Sequence, residues 1–345
     1  MGALTPEFLF DLESNMSVIS SREYQRLLNA SWWNLIARRM DSGAKKERIN
    51  WLLDTAKIQR PNAKRGGGQA IFDDLVALTT EYENENANGG LKLKKEQLED
   101  TDGNGVQLAT EWSRQIGAYA AYWPQKELAR AIRANPVTYD GVAFFATNHP
   151  VNPFLPAAGN FANLFTGVAA GGYPGALPID ESVTLDVAVA NVQKALAYIA
   201  SIKMPNGEDP RQLRAVRILV PPALVARAQQ ITNAKFIAQA AVTGGGAADF
   251  EAVVRNWGFG QPVEAAELGA AFGGSDTSWY ILTEEITTNE LGAFVYVDRE
   301  PFAILFHGPM SSAELARKRE LQWLTEGRNV IGAGHPYLFF RADAT

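Results

Sequence analysis

The stretch IFDDLVALTTEYENENANGGLKLKKEQLED, residues 71–100, constrains this chain more than any other. It reads as a long, mostly polar β-hairpin turning at NANGG, Asn86 to Gly90, where Asn and Gly tolerate positive φ. Its second arm, LKLKK, alternates apolar and basic residues, as a half-buried strand does. Glu81, Glu83 and Glu85 on one arm can pair with Lys92, Lys94 and Lys95 on the other. Each such pair contributes only tenths of a kcal/mol to ~1 kcal/mol. That is too little to hold an isolated two-stranded hairpin in water. The hairpin therefore needs a surface to lie on, and nothing nearby in the sequence supplies one. The reading is an intermolecular contact, reached through the flexible basic break PNAKRGGGQ, residues 61–69.

The remainder of the chain is a large globular protein. Its 345 residues allow two domains, and 46% hydrophobic content supplies a substantial core. A net charge of −6 argues against a broad nucleic-acid-binding surface. The absence of cysteine excludes disulfides, thiolate metal sites and cysteine nucleophiles. MGALTPEFLFDLESNMS lacks the basic and apolar regions of a secretory signal. The run ILVPPALVA is far shorter than the ~20 residues of a membrane helix, and two prolines interrupt it. The expectation is a soluble protein made in the cytoplasm.

Along the chain, residues 20–58 read as helical, with a second short helix over Lys45–Ile58. Trp32, Trp33 and Trp51 serve core packing or anchor an arm on a neighbouring subunit. Residues 105–134 carry the longest helical pattern; Pro124 should kink it or start a new helix, and Pro136 stops it. Residues 151–178 read as an ordered loop, Glu181–Lys203 as an amphipathic helix, and Ala215–Val220 as a buried strand. PPALVARAQQI then starts a helix with proline in its first turn. SWYILTE, AFVYVD and PFAILFHGP read as successive strands, and the C-terminal stretch as two strands joined around Gly332–Gly334. This irregular alternation predicts an α+β fold with mixed sheets.

Several stretches carry chemistry-bearing residues. DTDGNGVQLATE, Asp100–Glu111, fits the EF-hand loop, with oxygen ligands at positions 1, 3 and 5, glycine at 6 and glutamate at 12. It lacks an entering helix and a second copy, and the other reading is a turn whose acids cap the long helix. His149, His307 and His335 have no partners at metal-ligand spacing. No Gly-x-Ser-x-Gly elbow or P-loop is present. YDGVAFFATNHP, Tyr139–Pro150, gathers a tyrosine, an acid and a histidine, and reads as a structural corner: a turn at Asp140-Gly141, then the anchors Phe144 and Phe145. No catalytic, cofactor-binding or metal residue is assigned, and no enzyme is expected.

The order of these features resembles the major head (capsid) subunit of Mu-like bacteriophages and prophages. The residues that carry the resemblance are the acidic turn Glu99, Asp100 and Asp102, the PQKEL segment Pro124–Leu128, and Tyr139, Asp140, Gly141, Phe144, Phe145, His149 and Pro150. The strand–Pro-Pro–helix RAVRILVPPALVARAQQI and the closing GRNVIGAGHPYLFFRA add to it, over roughly residues 70–345. The resemblance implies the Hong Kong 97-type phage capsid fold. Residues 1–60 become an N-terminal arm and 61–98 an extended loop (E-loop). Residues 99–209 and 306–345 become a P domain with a long spine helix at about 105–123, and 210–305 an A domain. It implies a structural subunit of a tailed double-stranded DNA phage, forming hexamers and pentamers of an icosahedral head assembled in the host cytoplasm. Implied partners are other copies of the chain, scaffold, portal and decoration proteins, and packaged DNA bound without sequence specificity. Lys45, Lys46, Arg48, Lys64 and Arg65 either line the inner face or are simply solvated. An encapsulin-like compartment and a Ca²⁺-binding protein using Asp100–Glu111 are the rival readings.

Overall fold

The computed structural model describes residues 5–28, 30–53, 77–99, 104–170, 172–233, 236–238, 249–251, 260–285, 292–307 and 319–345. The chain divides into two compact units. The first comprises Met1–Glu47, Tyr82–Leu128 and Val295–Gly332; the second comprises Arg48–Glu81, Ala129–Phe294 and Ala333–Thr345.

In chain order the first elements are α1 (Pro6–Leu28), α2 (Trp33–Ile36), β1 (Ala37–Asp41), β2 (Lys46–Leu52), β3 (Ala77–Glu83) and β4 (Glu85–Lys94). There follow α3 (Lys95–Glu99), α4 (Gly105–Ala134), β5 (His149–Pro150), β6 (Asn160–Phe161), β7 (Leu164–Phe165) and α5 (Leu185–Ala200). The remainder are β8 (Leu213–Val220), α6 (Val225–Asn233), β9 (Phe236–Ala238), β10 (Asp249–Glu251), β11 (Val263–Glu264), β12 (Trp279–Glu285), β13 (Phe294–Phe306), β14 (Glu320–Ala333) and β15 (Phe339–Ala342).

The first unit is built on a four-stranded sheet of order β1-β13-β14-β4. Helix α1 starts where Thr5 Oγ1 accepts the Phe8 N–H at 3.2 Å and Pro6, which has no N–H to lose, takes the first helical position. Leu12 and Met16, one turn apart on α1, are buried with Leu93, Ala109, Ile304, Leu321 and Trp323. Gly117 of α4 lets the two helices touch: a Cβ there would lie 2.3 Å from the Ser20 carbonyl oxygen of α1. Helix α4 continues through Pro124, where no new helix starts, and is about 45 Å long. It stops at Asn135, whose φ of 51° is the left-handed conformation that ends helices.

The second unit holds a mixed five-stranded sheet of order β11-β8-β12-β15-β7. The β8–β12 and β12–β15 pairings are antiparallel, while the outer β11–β8 and β15–β7 pairings are parallel. Central β12 is buried on both faces from Trp279 to Thr283, which is why its sequence runs apolar without alternation. Helix α5 buries Ala188, Val189, Val192, Ala195 and Ile199 at helical spacing and packs on β8.

Three local expectations are corrected. No helix forms at Lys45: Lys46–Leu52 is strand β2, with Ile49 and Trp51 buried and their neighbours exposed, a period of two. Helix α1 instead lies earlier, and Ala37–Asp41 is also a strand. The NANGG turn does not exist. Asn86–Gly90 lies inside β4, paired antiparallel with β14 from Glu85↔Asn329 to Lys94↔Glu320. Strand β3 belongs to a different sheet with β2, and the chain breaks between β3 and β4 at buried Asn84. The glutamates and lysines accordingly find other partners. Glu81 pairs with Arg48, Glu83 with Lys45, Lys92 with Glu320 and Lys95 with Glu99. The basic break at residues 61–69 lies outside the described residues. Finally, AFVYVD and PFAILF are not two strands but parts of the single 13-residue β13.

Candidate functional site

The corner begins where α4 ends. The Asn135 side chain accepts the Phe145 N–H at 2.6 Å and donates to the Phe145 carbonyl at 3.1 Å, closing the loop onto the helix end. Inside it, Asp140 and Gly141 make the expected turn. Gly141 has a φ of 80°, and its N–H reaches the Thr138 carbonyl at 3.1 Å. Asp140 Oδ1 accepts the Val142 N–H at 3.0 Å and the Thr138 hydroxyl.

His149 closes the corner. Its Nδ1 lies 2.6 Å from Asp140 Oδ2, and its Nε2 donates to the Phe144 carbonyl at 2.9 Å. The ring is fully buried, stacked on Phe161 at 5.2 Å, and the Asp140 side chain is only 2% exposed. Burial pushes the Asp140 carboxyl up, but hydrogen bonds and charge from His149, with Thr138 and the Val142 N–H, outweigh it and hold its pKa below the ordinary 3.8. Both ring nitrogens thus have protein partners, and the ring is fully buried. A proton shuttle needs a free nitrogen within reach of a reacting atom. This arrangement is a clamp.

Phe144 and Phe145 are both buried; Phe144 stacks on Phe294 at 4.3 Å, and Phe145 packs near Tyr280 and Phe339. Asn163, which no sequence motif marks, ties the corner together. Its Oδ1 accepts the Ala146 N–H at 2.9 Å, and its Nδ2 donates to the Phe144 and Pro336 carbonyls at 2.6 and 3.0 Å. Its only local signal is an asparagine between apolar neighbours in FANLF, a weak one.

Beside the corner, Tyr139 stacks on Trp51 (5.4 Å), and Trp51 meets His335 edge-on (4.7 Å). Arg211 lies over Tyr337 at 3.4 Å and forms a buried ion pair with Glu285 at 3.0 Å. Burial first, and the Arg211 charge second, push His335 down from 6.5 to about 3, so it is neutral. Burial likewise raises the Tyr139 hydroxyl. The gap within this cluster is about 10 Å³, room for roughly one water and no substrate.

Of the other chemistry-bearing residues, Asp100, Thr101, Asp102 and Gly103 lie outside the described residues, so the calcium-loop geometry does too. Among the described residues, no group of three or more His, Cys, Asp or Glu is placed to hold a metal ion. Lys64 and Arg65 also lie outside them, while Lys45, Lys46 and Arg48 pair with Glu83 and Glu81. The His307 backbone N–H continues the β-ladder to the Gln322 carbonyl. No helix among the described residues is long and apolar enough to cross a membrane.

The surface carries large apolar groups. Phe10, Val137, Phe154, Val168 and Phe272 are each more than half exposed. The fold itself has relatives among solved structures. It is shared with the mature capsid of bacteriophage PhiM1 (TM-score 0.50, 12% identity, 91% of this chain and 86% of that chain). It is equally shared with the capsid of cyanophage P-SCSP1u (TM-score 0.50, 13% identity, 91% of this chain and 88% of that chain). A match to the bacteriophage JBD30 capsid (TM-score 0.44, 11% identity) covers 90% of this chain and 64% of that one, so this chain spans less than two thirds of its length. No curated protein matches the sequence. The class is therefore that of the Hong Kong 97-type phage capsid fold. Residues 14–174 match the family of Mu-like prophage major head subunits, gpT.

Proposed function

We propose that copies of this chain associate into hexamers and pentamers that close into an icosahedral head around double-stranded DNA. The match of residues 14–174 to the Mu-like head-subunit family carries this reading. In this reading residues 1–60 are the N-terminal arm, 61–98 the E-loop, 99–209 and 306–345 the P domain, and 210–305 the A domain. The protein works by geometry and not by catalysis, in keeping with its enclosed corner. Many weak contacts, each repeated in every subunit, sum to a stable shell. The partners during assembly are scaffold and portal proteins and, on the finished head, a decoration protein. Assembly takes place in the host cytoplasm. The net charge of −6 suits a shell that confines DNA without gripping it.

Negative-stain microscopy of the purified protein tests this. Shells, capsomers or tubes are expected; small globules alone at high concentration would count against it. Nuclease-protected DNA in particles from infected or induced cells separates a phage head from a cargo-filled protein compartment.

A further inference from the structure

Among the described residues, one stripe of α4 faces solvent. Leu108, Glu111, Gln115, Tyr119, Tyr122 and Lys126 follow one another at three- and four-residue steps and all are exposed. The opposite face, with Ala109, Ser113, Gly117 and Ala120, is the buried one. At the centre of the stripe, Tyr119 and Tyr122 leave 44% and 36% of their surface in water.

The ends carry opposite charge. Glu111 sits at one end, held by Arg114 and Gln115 of its own helix. Lys126, at the other, donates to the Tyr119 hydroxyl at 2.7 Å and lies over the Tyr119 and Trp123 rings at 5.3 and 5.1 Å. Among the ion pairs of the described residues, none gives Lys126 a carboxylate. Its ammonium is held in place on an aromatic bed, so pairing it costs little further ordering.

We propose that this stripe is a two-fold interface: α4 of one subunit packs antiparallel on α4 of a second copy, with the axis passing beside Tyr119. This deepens the shell-subunit reading above and rests on it. The pattern is self-complementary under that rotation. A copy turned by half a turn sets Glu111 opposite the second copy's Lys126, and Gln115 opposite its Tyr122. Every such contact then occurs twice, as an isologous interface requires. Glu111 and Lys126 are about 22 Å apart along the helix, so two symmetric charge pairs bracket a tyrosine centre. A polyanion fits the stripe less well, because Glu111 would repel it.

The chain contains no cysteine, which makes the test direct. Tyr119→Cys places one thiol beside the proposed axis. Antiparallel helices about 8–10 Å apart bring facing side chains within disulfide range. After mild oxidation, subunits are expected to run as dimers on a non-reducing gel and as monomers once reduced. Monomers from intact oxidised particles would overturn the proposal. Glu111→Lys and Lys126→Glu alone are each expected to lower particle yield about tenfold, a loss of about 1.4 kcal/mol, and together to restore it. Wild-type yield from both single variants, or no recovery in the double, assigns the stripe to another partner or to none and also overturns the pairing. If the wild type forms no particles, the shell reading fails instead. Oxidation of the soluble Tyr119→Cys protein, to a dimer or to none, then decides the pairing by itself.

Discussion

The corner at Asp140–His149 and the outer stripe of α4 hold similar chemistry and use it in opposite ways. Each sets a carboxylate, a cation or potential cation, and aromatic rings close together. In the corner, the His149 ring and the Asp140 carboxyl are almost wholly enclosed and every polar atom of the ring has a protein partner. On α4, Glu111 and Lys126 stand in water, and the lysine's contacts are a hydroxyl and two ring faces. Burial makes the first set structural, because losing one partner strands the other in a low dielectric. Exposure leaves the second set inexpensive to the fold and available to a neighbour. Residue type alone does not tell a site from a strut; solvent access does.

This contrast can be broken by experiment. The largest effect is expected for His149→Ala, which leaves the Asp140 carboxylate without its partner in the interior. Urea denaturation of soluble subunits should show a loss of about 3–5 kcal/mol, or no folded protein at all. A change under about 1 kcal/mol would mean the clamp is not structural. Phe144→Ala should cost a comparable amount, about 3–5 kcal/mol, because that ring is completely buried against Phe294.

Acid should weaken the second unit before it affects the α4 stripe. His335 has its folded pKa lowered to about 3 from 6.5, so between those values the unfolded chain binds more protons than the native one. Its neutral burial is fully tolerated above about pH 6.5, and stability is lost progressively as pH falls toward 3. Asp140, also lowered, adds a loss as pH falls below its unfolded value of 3.8. Denaturation midpoints between about pH 7.5 and pH 4.5 should fall steeply in the wild type and less steeply in His335→Gln. Equal slopes would remove His335 as the cause. The smallest effect is reserved for the surface. Lys126→Ala and Arg48→Ala should each shift subunit stability by less than about 1 kcal/mol, whatever Lys126→Ala does to particle yield.

How far the sequence can be read follows the range of the interactions. The corner is legible because its turn, its anchors and its clamp occupy twelve consecutive residues, Tyr139 to Pro150. Asn163 is not, because its amide joins Phe144, 19 residues away, to Pro336, 173 residues away. No local pattern encodes such a bond.

The absent hairpin turn has the same origin. Asn86–Gly90 carries every local mark of a turn, yet β14, far along the chain, pairs with it throughout and keeps it extended. Its glycines suit close backbone approach: a Cβ on Gly90 would lie 3.3 Å from the Trp323 carbonyl oxygen. At Ile49, Trp51 and Leu53 the period-two pattern is present, but the apolar run Trp51, Leu52, Leu53 also fits one turn of helix. The long helix and the buried strands are legible because their apolar spacing runs over many residues.

At Gly117, the atoms that a methyl group would strike belong to the backbone of Ser20 and cannot rotate away. The contact works as a notch: α1 can lift off α4, but it cannot slide along it while seated. Over generations of replication, position 117 should therefore tolerate almost no substitution unless the register of the whole N-terminal helix changes with it. One missing side chain thus sets the alignment of a 23-residue helix against a 30-residue one.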